Sequence, residues 1–274
     1  MILLSVLLIL LAILGAPLFA VIAASAMIGF QKEETDLMIM ALEIQSIASM
    51  PFLSAIPLFT FAGYLLSESN APNRLVKLTG AMLGWMPGGL ALVCLAVCAF
   101  FTAFTGASGV TIIALGAILY PALKQDGYGD KFNLGLVTSA GSLGLLFAPS
   151  LPLILYGVIA EVPVDNLFLA GILPGLLMLV MLSGWSLWVN RAIRKPLSSF
   201  SWREVGSALR ESIWELPLPF VVLGGIYSGF FAVSEAAAVT ALYVLLVEVA
   251  ILREIPLREL PRIMRASMIL VGAI

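Results

Sequence analysis

The sequence contains no histidine, and only 11% of its 274 residues carry a charge. The absence of an imidazole excludes a histidine base, a histidine-liganded metal and a Ser-His pair. The 14 basic and 16 acidic residues nearly cancel, so no basic face can be assembled for a nucleic acid. The two cysteines, Cys94 and Cys98, stand four residues apart in an apolar run. This spacing indicates packing residues rather than a disulfide framework or a zinc site.

Apolar residues are correspondingly abundant. They make up 61% of the chain, and its mean hydropathy is +1.10, whereas an average globular chain is roughly 45–50% apolar and about 25% charged. An ordinary soluble enzyme is thereby excluded. The composition predicts an all-α integral membrane protein.

Several apolar runs approach or exceed the length of about 20 residues that a membrane crossing needs, and we predict about six spanning helices. They cover residues 2–30, 51–67, 132–160, 166–190, 215–231 and 236–252. The first run is uncharged and about twice as long as the apolar part of an export signal, so we expect a spanning helix that is not cleaved off. Gly15 and Pro17 are expected to weaken this helix locally. The charged segment 202–214 is expected to lie as a helix on the cytoplasmic surface.

The basic residues predict the orientation, because cytoplasmic loops collect lysine and arginine. We place the N-terminus inside and let a further apolar stretch, 89–123, enter and leave on the same side. Of the 14 basic residues, only Lys32 then lies outside. A single crossing by 89–123 would move the 11 basic residues that follow it to the outside, so the charges favour a re-entrant hairpin. The cytoplasmic residues would be Arg74, Lys77, Lys124, Lys131, Arg191, Arg194, Lys195, Arg203, Arg210, Arg253, Arg258, Arg262 and Arg265.

The tetrapeptide Gly-Ala-Ser-Gly at 106–109 marks the turn of this hairpin, because it interrupts two apolar helices. Non-helical backbone at membrane depth must be buried in protein or line a wet cavity, since an unpaired amide or carbonyl group in lipid costs several kcal/mol. The tip is therefore expected to have a binding role. A helix kinked at a small-residue contact surface explains the same four residues equally well.

A second interruption is predicted within 132–160. The small, polar run 138–144 precedes Pro149 and Pro152, which remove two backbone donors and free carbonyl groups that a straight helix would have used. Broken helices of this kind form the mid-membrane sites of secondary transporters, where helix N-termini face anions and unwound carbonyls hold sodium. A simple proline kink is the competing interpretation.

Three carboxylates lie in or beside the predicted spans. Glu235, next to Ser234, suits a capped helix start better than a transport role. Glu215 is expected at the membrane interface, and Glu248 is expected to pair with Arg253 or to reach the membrane boundary. No carboxylate pair is predicted within the membrane, so acid–base catalysis is not expected and the protein is not expected to be an enzyme.

A series of short motifs occurs in one order along nearly the whole chain. The motifs are PLF at 57–59, AG at 62–63, FTGASGVT at 104–111, GY at 127–128, GSLG at 141–144, APS at 148–150, YG at 156–157, LFLAG at 167–171, PG at 174–175, GGI at 224–226 and SEAAA at 234–238. The series resembles the large membrane subunit of the tripartite ATP-independent periplasmic (TRAP) transporters.

The resemblance implies a secondary transporter that a sodium gradient drives and that works by an elevator motion of a transport domain against a scaffold. The implied substrate is an organic acid, such as a C4-dicarboxylate or sialic acid, delivered by a periplasmic substrate-binding protein. A small four-helix membrane subunit is the implied partner, and Na⁺ is the coupling ion, with no cofactor. The protein is expected in the inner membrane of a bacterial or archaeal cell.

The same resemblance points to the hairpin tip and the helix break as the binding sites. The implied sodium ligands are Gly106, Ser108, Gly109, Ala148, Pro149 and Ser150. The implied substrate contacts are Ser108, Gly109 and Ser150. Two positions depart from the family pattern, which commonly has a serine at Ala107 and paired prolines at 148–149. Both departures remove side-chain or backbone options and leave ligation by carbonyl groups possible.

The resemblance also implies an organisation into parts. Residues 1–88 would form N-terminal scaffold helices, 89–160 the transport-domain elements, 161–266 further spanning helices with cytoplasmic amphipathic segments, and 267–274 the start of a next helix. The transport-domain elements would be the re-entrant hairpin 89–123 and the broken helix 132–160. Family members consist of two inverted repeats, and this sequence matches the first. We therefore expect a fragment, a truncated reading frame or a second half supplied by another chain.

Two other functions fit the same residues. Another ion-coupled elevator carrier would work without a binding protein. A membrane scaffold or assembly fragment would not transport at all. Neighbouring reading frames that encode a small subunit and a binding protein would argue against an independent carrier. A conformational response to sodium would argue against a scaffold.

Overall fold

The computed structural model describes residues 2–36, 38–86, 88–191 and 200–273, and all regular structure in these residues is helical. The all-α class is therefore confirmed. Arg194 and Lys195, two of the basic residues that predict the orientation, lie outside the described residues. The chain divides into two compact units, Met1–Met50 and Pro51–Ile274.

The first unit contains three short helices, α1 (Ile2–Ile13), α2 (Leu18–Lys32) and α3 (Met38–Ser49). The prediction of one helix over 2–30 is wrong. Gly15 adopts φ = +91° and Pro17 has no N–H to donate, so the helix stops and starts again. Helix α3 was not predicted from the sequence, and none of its described side chains is buried.

The second unit contains eleven further helices in its described residues. They are α4 (Ala55–Glu68), α5 (Ala71–Leu83), α6 (Gly89–Thr105), α7 (Ser108–Gln125), α8 (Asp130–Leu143), α9 (Leu151–Ala160), α10 (Val164–Val189), α11 (Trp202–Glu211), α12 (Pro217–Tyr227), α13 (Val233–Leu245) and α14 (Leu260–Ala273). Short 3-10 turns lie at Pro51–Ser54 and Gly144–Leu146, and a π-helical turn, Leu246–Ile251, extends α13.

Three helices in the described part of the chain are long and apolar enough to cross a membrane: α7, α10, and α13 together with its π-helical turn. The bent pair α8–α9 makes a fourth if it is counted as one span. The runs predicted at 51–67 and 215–231 fold as α4 and α12, of 14 and 11 residues. Both are shorter than the roughly 20 residues of a crossing, so the expected number of about six spans stays a prediction.

α6 is the central helix of the second unit. Nearly all of its residues are buried, and it packs against α4, α5, α7, α8 and α10. Cys94 and Cys98 lie in this core as free thiols, which confirms that they are packing residues. A helix enclosed in this way has little surface for lipid. Because α6 is the first helix of the hairpin, the helices packed around it fix the position of the hairpin.

Two helix starts differ in detail from the sequence analysis. Glu235 does belong to a helix start, because its carboxylate accepts a hydrogen bond of 3.0 Å from the Ala232 N–H. However, α13 begins at Val233, so Ser234 lies inside the first turn and does not cap it. α11 is amphipathic as predicted, and Ala208 is buried on its inner face against α5.

The expected pairing of Glu248 with Arg253 is wrong, and the expected depth of Glu215 at the membrane interface stays a prediction. Both glutamate side chains are buried, and both contact the guanidinium group of Arg74 rather than solvent or Arg253. Arg74 lies on α5, which the sequence analysis treated as part of a connector, 141 positions before Glu215. A contact between positions so far apart leaves no local pattern in a single sequence.

Candidate functional site

The hairpin tip consists of two residues between α6 and α7. Gly106 ends α6 with φ = +63°, in the left-handed region that strains a side chain, and Ala107 is extended. At the other end of the hairpin, a side-chain carbon at Gly88 would lie 3.7 Å from the Tyr128 hydroxyl. The residue before α6 is thus a neighbour of a residue just after α7. The chain folds back as predicted, which excludes a kinked continuous helix, and the depth of the tip in a bilayer stays a prediction.

α4 contacts the tip backbone to backbone. A side-chain carbon at Gly63 would lie 2.3 Å from the Thr105 Cα and 2.8 Å from the Phe104 carbonyl oxygen. These distances are shorter than any real carbon contact, so only glycine permits this approach. The last turn of α6 is therefore held directly by the backbone of α4.

The second interruption separates α8 from α9, which are bent by 44°. The turn Gly144–Leu146 follows α8, and α9 begins at Leu151. Pro152 lies in the first turn of α9, where its missing N–H is not needed. Pro149 lies between the helices and is joined to Ala148 by a cis peptide bond. The predicted break is confirmed.

The hairpin tip and the helix break are in direct contact. A side-chain carbon at Gly106 would lie 2.8 Å from the Leu151 Cβ and 3.5 Å from the Leu151 backbone nitrogen. Nearby, a carbon at Gly144 would lie 2.4 Å from the Thr102 Cβ. The Thr102 hydroxyl donates a hydrogen bond of 2.9 Å to the Gly141 carbonyl. The two interruptions that the sequence predicts separately therefore form one site.

Two helix N-termini converge at this site, because α7 begins at Ser108 and α9 begins at Leu151. The first N–H groups of a helix have no partner within the helix and carry the positive end of its dipole. Together they favour an anion. The C-terminal ends of α6 and α8 meet through Thr102 and Gly141 and carry the negative dipole ends, which favour a cation. The site thus offers adjacent positions for both signs of charge.

The six predicted site residues lie within three positions along the chain of the Gly106–Leu151 contact. Ser108 is half-buried, and Gly109 is exposed with open space where a side chain would be. Ser150 is fully buried, and its hydroxyl donates to the Leu145 carbonyl at 2.5 Å. Ser150 can therefore approach a ligand only through its oxygen lone pairs. The binding roles of all six residues stay predictions.

Comparison with known proteins gives the family. The model of the family described as "Tripartite ATP-independent periplasmic transporter, DctM component" matches residues 1–274. This chain belongs to the TRAP transporter large permease family. The resemblance inferred from the motif series is thereby confirmed.

Relatives in this family carry several substrate names. The ectoine/5-hydroxyectoine TRAP transporter large permease protein of Ruegeria pomeroyi is 34% identical over 92% of this chain and 60% of its own length. The C4-dicarboxylate TRAP transporter large permease protein of Rhodobacter capsulatus is 34% identical over 78% of this chain and 52% of its own length. The isethionate TRAP transporter permease protein of Oleidesulfovibrio alaskensis is 37% identical over 77% of this chain and 33% of its own length. The chain therefore spans less than two thirds of the length of each relative.

Three buried threonines of this TRAP permease chain lie on the helix turns that flank the tip. They were not predicted from the sequence. The Thr105 and Thr111 hydroxyls are 3.0 Å apart, and the Thr105 hydroxyl is 3.4 Å from the Ala107 carbonyl oxygen. Thr102 is the third. The available signal was the run of threonines at 102, 105 and 111 in otherwise apolar helices. Hydroxyl and carbonyl oxygens are the neutral ligands that suit Na⁺.

Acidic ligands do not contribute to such a cation site. Among the described residues there is no group of three or more His, Cys, Asp or Glu side chains that could hold a metal ion. A cation at the tip would therefore rest on neutral oxygen atoms and on the helix C-termini. This donor set fits a monovalent ion, whose single charge needs no carboxylate to balance it.

An apolar cavity of about 370 Å³ adjoins the helix break between α6, α10 and α12. Its walls include Phe100, Phe104, Phe147 and Phe168. An ionised carboxylate in such surroundings would lose its hydration without gaining a partner. The cavity therefore suits an anion less well than the helix N-termini at the tip do.

Proposed function

We propose that this chain carries a sodium-coupled binding site for a small organic acid in a TRAP uptake permease. The convergence of the α7 and α9 N-termini at the Gly106–Leu151 contact is the observation that supports the anion position. Each helix N-terminus stabilises a negative group by typically 0.3–1 kcal/mol, and by up to about 2 kcal/mol where it is partly buried. Two such ends acting together suit a carboxylate.

The names of the relatives support the substrate class. Ectoine, C4-dicarboxylates and isethionate, for which three relatives are named, all carry a carboxylate or a sulfonate group. An oxyanion is therefore what these substrates share, and hydrogen-bond donors recognise it. We assign to this chain a small organic acid, such as a C4-dicarboxylate, sialic acid or a similar carboxylate.

Sodium is proposed to bind on the other side of the tip. The oxygen atoms of Thr105, Thr111 and Ala107 surround the turn, and Ser108 and Ser150 lie at its edges. Sodium would order the tip and so place the N-terminus of α7 for the acid. The two ligands would then be coupled through one conformational equilibrium.

The proposed transport step is an elevator motion of the hairpin and the broken helix against a scaffold. Family membership supports this mechanism, together with a small four-helix membrane subunit and a periplasmic substrate-binding protein as partners. The permease would lie in the inner membrane with its N-terminus in the cytoplasm, as the distribution of basic residues predicts.

The test is uptake of a radiolabelled organic acid by proteoliposomes that contain the full-length permease complex and its binding protein. We expect uptake to require an inward sodium gradient, and an equal potassium gradient is the matched control. Uptake that ignores the sodium gradient would refute the coupling. Uptake without the binding protein would indicate an independent carrier, and no uptake under any gradient would indicate a scaffold.

A further inference from the structure

A buried ion cluster lies apart from the hairpin tip, where four segments of the second unit meet around Arg74. The Arg74 Nε donates to the Glu215 Oε1 at 2.6 Å, and Nη2 lies 3.5 Å from the Glu248 Oε1. Nη1 donates to the Glu254 carboxylate. Arg74 comes from α5, Glu215 precedes α12, Glu248 lies on the π-helical turn, and Glu254 follows it.

The charges in this cluster do not balance. One guanidinium group faces three carboxylates, which leaves two negative charges in excess if all groups are ionised. Glu254 is partly solvated, because its side chain is 24% exposed and it also accepts a hydrogen bond of 2.7 Å from the Asn70 N–H. Glu215 and Glu248 are only 2% and 1% exposed, so water does not stabilise their charges.

Each of these two carboxylates also has one oxygen without a donor. The Glu215 Oε2 and the Glu248 Oε2 are buried and accept no hydrogen bond. Burying an ionised carboxylate oxygen in this way is costly. Because both atoms are already enclosed, a further chain or partner could not reach them without opening the cluster.

The hydroxyl groups around the cluster donate to backbone carbonyl groups, and Ser69 also lies within reach of the Glu248 carboxylate without supplying a donor to its Oε2. Ser69 donates to the Leu66 carbonyl, Ser212 to the Arg74 carbonyl, and Tyr243 to the Trp214 carbonyl. Other charged groups of the neighbouring elements are exposed to solvent, including Arg253 beside Glu254, and several of them form pairs. These pairs are Lys77 with Glu211, and Arg262 with Glu68 and Glu259.

We propose that Glu215 and Glu248 together bind one proton. A proton taken from water converts one carboxylate into a carboxylic acid, which reduces the excess charge of the cluster from two to one. The acid also provides an O–H donor near two carboxylate oxygens that accept no hydrogen bond. Because the two carboxylates share Arg74, the proton belongs to the pair rather than to either residue.

A metal cation is the competing ligand, and the geometry disfavours it. The guanidinium group of Arg74 occupies the centre of the cluster and would repel a cation. The described residues also contain no acidic group arranged to hold a metal ion. The proton site does not depend on the proposed function of the hairpin tip.

The proton site links pH to the packing of α5 against the ends of α12 and α13. Loss of the proton restores the second excess negative charge and repels Glu215 from Glu248. The junction is therefore expected to weaken as the pH rises. A π-helical turn at Glu248 is consistent with a functional position, because such turns occur frequently at functional sites.

The test uses the full-length permease complex in lipid nanodiscs and the infrared C=O band of a protonated carboxylic acid. We expect the band at neutral pH and its disappearance in alkaline buffer. Glu215→Gln and Glu248→Gln should each abolish it, because the remaining buried carboxylate then has Arg74 nearby without a buried competitor. Glu211→Gln removes an exposed carboxylate and should leave the band unchanged. No band in the wild-type protein, or a band that survives both buried substitutions, overturns the proposal.

The melting temperature of the same complex is the second measurement. It should fall as the pH rises from the acidic range up to the range where the band disappears, because over this interval the folded state keeps a proton that the unfolded state has already released. Glu248→Gln keeps the shape of the side chain without the charge, so its melting temperature should not show this fall. If one variant does not fold, the other decides. A wild-type melting temperature that does not change with pH over this interval would overturn the proposal, whatever its response to sodium.

Discussion

Three glycines set the geometry of the candidate site at the scale of single atoms. Gly63, Gly106 and Gly144 each lie where a side-chain carbon would be less than 3 Å from a neighbouring atom. Gly106 also requires a positive φ. These residues bring α4, α6, α8 and α9 close enough for backbone groups to act as ligands, and a larger residue would move those groups apart.

Gly63→Ala is predicted to destabilise the permease. Its added carbon would overlap the Thr105 Cα, and overpacking of this kind costs typically 1–3 kcal/mol. Gly80→Ala on α5 is the control, because nothing lies within 4 Å of its side-chain position. Alanine there should be neutral or stabilising by up to about 1 kcal/mol. Thermal unfolding of the purified full-length protein measures both, and equal melting temperatures would contradict the close contact.

Ser108→Ala and Ser150→Ala are predicted to weaken sodium dependence. Each removes a hydroxyl oxygen at the edge of the tip, and a loss of about 1–2 kcal/mol of binding would raise the half-saturating sodium concentration roughly five- to thirty-fold. Ser67→Ala is the control, since its hydroxyl donates within α4 to the Tyr64 carbonyl. Sodium titration of uptake is the measurement. Wild-type sodium affinity in both variants would remove these serines from the site.

At the scale of elements, a buried side-chain hydrogen bond joins α6 of the hairpin to α8 of the broken helix. The Thr102 hydroxyl on α6 satisfies the Gly141 carbonyl near the end of α8, in a position where no solvent reaches. Beside it, Gly144 contacts Thr102 directly. The hydrogen bond therefore orients two helix C-termini at the place where a cation is proposed.

Thr102→Val is predicted to loosen this junction. Valine keeps the shape of threonine but leaves the Gly141 carbonyl without its donor, at a cost of about 1–3 kcal/mol. Thr102→Ser retains the hydroxyl and is the matched comparison. Thermal unfolding and sodium titration should both separate the two variants. A valine variant as stable as the serine variant would show that the hydrogen bond does not hold α6 to α8.

The sequence predicts interruptions better than it predicts contacts between distant helices. Glycine and proline change the conformation of their own backbone, so the breaks at 106–109 and near Pro149 are predicted correctly. At Gly15 the sequence predicts only a weakened helix, whereas the helix ends there. The pairing of Arg74 with Glu215 depends on how α5 packs against a distant segment, and hydropathy does not contain that information. The threonines of the tip were overlooked because apolar runs tolerate threonine without requiring a function.

At the scale of the whole molecule, the hairpin determines the topology. The proximity of Gly88 and Tyr128 shows that the two ends of segment 89–123 lie close together. The connectors on either side of it are therefore expected on one face of the membrane, and the loop between α9 and α10 is expected on the other. This arrangement also agrees with the distribution of basic residues.

Cysteine labelling tests this topology. We predict that Lys77→Cys and Lys131→Cys both react with an impermeant maleimide from the cytoplasmic side, and that Glu161→Cys reacts from the periplasmic side. All three positions are exposed. The native Cys94 and Cys98 are buried and can remain in place. Labelling of Lys77→Cys and Lys131→Cys from opposite sides would contradict the re-entrant hairpin.

The contact between Gly106 and Leu151 has a consequence for how the site is emptied. The Gly106 backbone lies so close to the Leu151 Cβ that no other side chain separates the tip from the start of α9. We therefore expect the tip and the start of α9 to move together in the proposed transport step. A ligand proposed at this contact is then expected to leave through an outer flank of the pair, such as the open space beside Gly109.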